Sequence, residues 1–140
     1  MVAAALLAVW AVALSVADLR ERRLPNVLTV PGAVAILLVA LLCGRGIAAV
    51  LGAVALGGAY LMIHLVDPAG LGAGDVKLAV GLGALTGALG SDVWILAALG
   101  APMLTAVAGT VAAVRHRGHS VAHGPSMCAA SLLVAALAVF

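Results

Sequence analysis

Charged and turn-forming residues cut the chain into six apolar runs, roughly 2–17, 27–43, 47–66, 76–90, 93–114 and 121–140. Most of these runs approach the ~20 residues that a helix needs to cross a bilayer. The pattern predicts an all-α fold, a polytopic bundle of about six transmembrane helices forming one domain over residues 1–140. The first run also has the length of a signal-peptide core. No basic residue precedes it, however, and Asp18 and Arg20 follow it in place of a clean cleavage site, so it reads as a retained span. The fourth run is short and holds Gly81, Gly83, Gly87 and Gly90. It is expected either to tilt or to begin below the surface, and the small-xxx-small spacing of Gly83 and Gly87 predicts tight helix packing in the bundle interior.

Composition supports the membrane reading. The 140 residues are 66% hydrophobic and 9% charged, with a mean hydropathy of +1.30, whereas soluble domains carry about a quarter charged residues. The net charge is only +2, and no basic stripe interleaves with aromatics, which excludes nucleic acid as a partner. Cys43 and Cys128 lie in separate apolar runs and read as inert buried thiols. No residues have metal-ligand spacing, so neither a metal nor another cofactor is expected.

The few charges matter by position. Short loops rich in Lys and Arg stay on the cytoplasmic side. Placing the loop after the first helix inside puts Arg20, Arg22, Arg23, Lys77, Arg115 and Arg117 on that face and only Arg45 outside, six of the seven basic residues. Asp18, Glu21, Asp67 and Asp75 fall on the same face, with Asp92 the exception among the acids. The expected product is a multi-pass protein of the cell membrane with both termini external.

This bookkeeping brings two carboxylates to one depth. Asp75 closes Gly72-Ala73-Gly74-Asp75 at the mouth of the fourth run, where glycines let backbone or substrate approach closely. Asp18 stands near the end of the first helix, which must stop before Pro25. That position is nearly two turns inside the helix end, where the dipole disfavours an anion, and Arg22 four residues on offsets the cost. Two carboxylates in a poorly solvated site share a proton and present an acid and a base together, which suits attack of water on a peptide carbonyl. Each residue also has a plainer explanation, Asp75 as a helix N-cap and Asp18 as a boundary residue in an arginine cluster. Their matched depth favours the site.

Other polar residues divide similarly. Lys77 either tunes Asp75 or reaches the lipid headgroups. His64 reads as a hydrogen-bonded helix-end histidine, since no second ligand stands at i+4. His116, His119 and His123 fall with Arg115 and Arg117 in a cytoplasmic turn and read as solvated. Gly124-Pro125 is either an ordinary helix entry or the wall of a substrate groove.

Three blocks carry a resemblance: Asp18-Leu19-Arg20 with Leu24-Pro25-Asn26, then Leu71-Gly72-Ala73-Gly74-Asp75-Val76-Lys77-Leu78, then Gly124-Pro125. In their order and separation they resemble the peptidase core of the type IV prepilin peptidases, membrane aspartyl proteases of the GxGD class. The likeness spans nearly the whole chain, and the second block is its most specific part. It implies an endopeptidase that cuts the short basic leader from prepilin-like precursors at the cytoplasmic membrane surface, with Asp18 and Asp75 as the catalytic aspartates. Gly72, Gly74, Lys77, Gly124 and Pro125 are then the residues shaping the site. Many family members carry an N-terminal domain with paired cysteines that methylates the new N-terminus. This chain starts at the first core helix and has only Cys43 and Cys128, so no methyltransferase domain is expected. It is closer to the compact, peptidase-only members associated with Flp-type pili or archaeal preflagellins. His123 stands where the family often has an aromatic residue.

A basic leader meeting a basic inner face needs local acids, and Glu21 and Asp67 are the two not assigned to chemistry. The alternative is that Glu21 pairs with its arginine neighbours and Asp67 caps the turn at Pro68. Two further classes of function compete with the peptidase. One is a small transporter or channel subunit using the aspartates for protons or a cation, although no internal repeat is seen. The other is a non-catalytic assembly protein of a pilus or secretion machine. The expected partners are prepilin-like precursors and the lipid bilayer.

Overall fold

The computed structural model describes residues 2–21, 24–114 and 123–139. Six helices follow in chain order, α1 (Val2–Glu21), α2 (Asn26–Leu42), α3 (Gly46–Val66), α4 (Ala73–Leu89), α5 (Ser91–Val114) and α6 (Gly124–Val139). No strand occurs among the described residues. The breaks fall where the backbone chemistry requires them. Pro25 holds an extended conformation and its carbonyl accepts from Leu28 and Thr29, starting α2. Gly44, at φ +74°, ends that helix in a Schellman arrangement, with Arg45 N–H bonded to Ala40 O and Gly44 N–H to Leu41 O.

The glycine-rich fourth run is the axis of the bundle. It forms α4, which packs against α2, α3, α5 and α6 and buries Leu78, Ala79, Leu82, Ala84 and Thr86 together with three of its glycines. Its tightest neighbour is α3. A Cβ at Gly87 would lie 2.7 Å from the Ala48 carbonyl oxygen, and one at Gly83 would strike the Gly52 carbonyl, so the two backbones touch through glycines on both sides. The predicted small-xxx-small contact is therefore present, with Gly52 supplying the opposite face. Two indoles link further helices: Trp94 Nε1 of α5 donates to Gly52 O of α3 at 3.0 Å, and Trp10 Nε1 of α1 donates to Leu28 O of α2 at 2.8 Å.

Around this core the outer surface is apolar. Val27, Leu42, Ile47 and Val66 are each more than 80% exposed, and large aliphatic side chains cover the outside of the helices. Two segments, Gly46–Val66 and Ser91–Val111, are long and apolar enough to cross a membrane. Inside, among the described residues, no buried side-chain polar atom lacks a hydrogen-bond partner.

Candidate active site

One end of the bundle collects the polar residues of α1, α3, α4 and α6. Its approach is the turn between α3 and α4. Asp67 Oδ1 accepts from Gly70 N–H at 3.0 Å, and Leu71 N–H returns to Asp67 O at 3.2 Å. His64 Nδ1 lies 2.6 Å from Leu71 O; a carbonyl only accepts, so the ring nitrogen carries the proton. His64 is thus the hydrogen-bonded helix-end residue that the sequence suggested. Asp67 is exposed and caps its own turn, as in the plainer of its two readings.

The helix carrying Asp75 begins earlier than the apolar run did. Gly72 is the N-cap and Asp75 the third helical residue, with Asp75 Oδ2 accepting from Gly72 N–H at 3.2 Å and Asp75 N–H donating to Gly72 O at 3.0 Å. This is the back-reaching half of a capping box, so the N-cap reading of Asp75 is corrected: the acid sits one turn in and caps from there. The two glycines differ in what they admit. A Cβ at Gly74 would lie 2.9 Å from Leu24 Cβ and 3.3 Å from Leu24 N, so this glycine makes room for the chain leaving α1. At Gly72 nothing approaches closer than Asp75 Oδ2 at 3.5 Å, and the residue is exposed. Lys77 is exposed and donates from Nζ to Asn26 Oδ1 at 2.7 Å, clamping α4 to the start of α2.

Asp18 is 7% exposed, on the last described turn of α1. Its Oδ2 accepts from Gly124 N–H at 3.0 Å. Gly124 opens α6, so this N–H is one of the donors that a helix start leaves unpaired, at the positive end of the helix dipole. The carboxylate placed at the unfavourable end of α1 is thus met by the favourable end of α6. Arg22, the compensation expected from the sequence, lies outside the described residues. The approach is close enough to require glycine, since a Cβ at residue 124 would lie 2.6 Å from Asp18 Oδ2. Pro125, half-buried, follows as the second helical residue, where its missing N–H costs nothing.

The charge of Asp18 reaches Asp75. Asp75 stands in the first turn of α4, ahead of the apolar run that starts at Val76. Burial and then the Asp18 charge push its carboxyl up to about 6, against the opposing hydrogen bond from Gly72. A carboxyl raised by a neighbouring carboxylate is what a proton-sharing pair requires. Asp92, by contrast, lies in the first turn of α5, beside Ser91.

His123 departs from expectation. It is half-buried, with Nε2 2.8 Å from Tyr60 Oη, Nδ1 2.6 Å from Thr105 Oγ1, and its ring tilted 34° against the Tyr60 ring at 5.5 Å between centroids. The solvated-turn reading is therefore wrong for His123, while His116 and His119 lie outside the described residues. Tyr60 and Thr105 were missed as site residues. The signal for the first was available: Tyr60 is the sole tyrosine of the chain and stands four residues before His64, on the same face of an apolar helix. Glu21 is exposed, and its arginine neighbours at 22 and 23 lie outside the described residues. Among the described residues no group of three His, Cys, Asp or Glu could hold a metal ion.

A model of the type IV leader peptidase family matches residues 5–140, a span that takes in all three sequence blocks. No curated protein and no solved structure gives a significant match.

Proposed function

We propose, from the premise that the chain belongs to the type IV leader peptidase family, that it is a multi-pass membrane aspartic endopeptidase of the GxGD class. In this reading it removes the basic leader of prepilin-like precursors at the cytoplasmic face, with Asp18 and Asp75 as its catalytic pair. What supports it is the Asp75 carboxyl, pushed up to about 6 by burial and then by the charge of Asp18, so that one acid holds a proton beside a second. Asp18, anchored by the Gly124 N–H, takes a proton from a water molecule as that water attacks the scissile carbonyl carbon. Asp75 gives its proton to the carbonyl oxygen. As the tetrahedral intermediate collapses, one of its hydroxyls returns a proton to Asp75, the C–N bond breaks, and the proton held by Asp18 leaves with the amine. Gly72, open on its outer side, admits the substrate backbone; Gly74, Lys77 and Pro125 shape the surrounding wall. Incubating the purified protein with a prepilin-like substrate tests the proposal: release of the leader is expected, and intact substrate would return the chain to a transport or assembly role.

The membrane orientation has its own test. The apolar outer surface supports a lipid environment, and the distribution of basic residues supports this sidedness. Topology reporters fused after Arg23 and after Arg45 are expected on opposite sides, the first in the cytoplasm. The same side for both would overturn the arrangement.

Recognition of the leader is assigned to the exposed acids Glu21 and Asp67. Asp67 commits one oxygen to Gly70 and keeps the other. Because exposed ion pairs are weak, the double change Glu21→Gln with Asp67→Asn should raise KM about several-fold for a native leader. Such attraction is screened over about 8–10 Å at physiological ionic strength, so added salt should narrow the difference. Equal losses on native and charge-neutralised leaders would remove both acids from recognition.

A further inference from the structure

Tyr60, Thr105 and His123 come from α3, from α5 and from the residue preceding α6, and with a neutral ring one assignment of protons satisfies all of their hydrogen bonds. Thr105 Oγ1 lies 3.1 Å from Ala101 O and 2.6 Å from His123 Nδ1. The hydroxyl has one proton and the carbonyl can only accept, so that proton goes to Ala101. Nδ1 must then carry hydrogen and donate to Thr105. A neutral imidazole protonated at Nδ1 has a free lone pair at Nε2, which accepts the Tyr60 O–H at 2.8 Å. Burial favours this uncharged ring against the pull of the Asp18 charge.

The location gives the arrangement its consequence. His123 O accepts from Met127 N–H, closing the first turn of α6 upon it, and the next residue is Gly124, whose N–H holds Asp18. We propose that His123 is a positioning residue for the cleavage reaction: fixed between Thr105 and Tyr60 as the Nδ1–H tautomer, it pins the start of α6 and so aims the Gly124 N–H at Asp18. This rests on the peptidase reading and adds to it residues that act through the Gly124 amide. The sequence distances involved, 63 residues to Tyr60 and 18 to Thr105, mean that three helices must be assembled before the Asp18 donor is in place.

The test joins a spectroscopic and a kinetic readout. Nitrogen NMR of histidine-labelled protein in micelles at neutral pH should show His123 as the Nδ1–H tautomer, its signal assigned by loss in His123→Gln. Thr105→Val, nearly the same shape, should shift the ring toward the Nε2–H form. It should lower kcat about three- to tenfold with KM within about twofold, the scale of one lost neutral hydrogen bond. Thr105→Ser restores the hydroxyl and should restore both the tautomer and kcat. Tyr60→Phe should lower kcat similarly, and the Tyr60→Phe/Thr105→Val double change should cost less than the product of the two because both act through one ring. A wild-type ring protonated at Nε2 or at both nitrogens would overturn the positioning role, as would Thr105→Ser losing as much kcat as Thr105→Val. A wild type with the expected tautomer that cleaves no prepilin-like substrate would instead overturn the peptidase reading, and the role with it.

Discussion

Asp18→Asn and Asp75→Asn, made singly, are each expected to lower kcat/KM about a thousandfold or more while leaving the bundle folded. The reason lies in what the amide keeps. Asparagine at 18 still offers an oxygen to Gly124 N–H, and asparagine at 75 still offers one to Gly72 N–H, so the helix starts of α6 and α4 remain capped. What disappears is the shared proton: an amide can neither take one from water nor give one to a carbonyl oxygen. Asp92→Asn, made in the first turn of α5, is the control and should leave the rate unchanged. The same proton sets a pH dependence. With the Asp75 carboxyl pushed up to about 6, raising the pH through that value strips the proton from the pair, so kcat/KM should fall on the alkaline side. The midpoint belongs to the pair and not to either acid alone. Initial rates across pH, with helix content and thermal midpoint measured on each variant, check the whole set. A folded Asp18→Asn protein cleaving at the wild-type rate would dispose of the paired-carboxylate mechanism.

The parts of this site that the sequence disclosed are those where one local signal suffices. Six apolar runs became six helices, and three of the five breaks fall at Pro25, Gly44 and Gly90, residues whose backbone preferences act without tertiary help. The proposed pairing of Asp18 and Asp75 across 57 positions comes from the same kind of signal, because a membrane reduces the search to depth and basic loops indicate depth. The start of α4 was read late because Gly-x-Gly-Asp resembles a lead-in loop, whereas the carboxylate at the third helical position reaches back and draws the glycines into the helix start. Partner choice was not legible. Gly83 and Gly87 announced a close contact, but nothing local names Gly52 as its other half. His123 was misread for the same reason: its neighbours in sequence are arginines and histidines, while its neighbours in space are Tyr60 and Thr105.

Gly124→Ala is expected to lower kcat/KM about a hundredfold, the scale associated with displacing a catalytic group by roughly an ångström. The backbone itself does not forbid alanine here, since the residues with positive φ among the glycines are Gly44 and Gly90. The obstacle is the acid. A methyl at 124 would lie 2.6 Å from Asp18 Oδ2 and 3.1 Å from its Cγ, inside van der Waals contact. Either the carboxylate moves or α6 withdraws, and in both cases the 3.0 Å bond from Gly124 N–H is lost. A buried carboxylate without its donor is costly, so the variant should also lose thermal stability. Gly109→Ala separates this effect from a general response to methyl groups: nothing would lie within 4 Å of a Cβ there, and alanine in a helix interior should leave the protein unchanged or slightly more stable. The decisive comparison is made in an Asp18→Ala background, where the oxygen that the methyl would strike is gone. There Gly124→Ala should cost almost no stability, so the two changes should be strongly non-additive in thermal denaturation. Additive losses would mean that the methyl disturbs α6 for some other reason, and that the Gly124 amide does not hold Asp18.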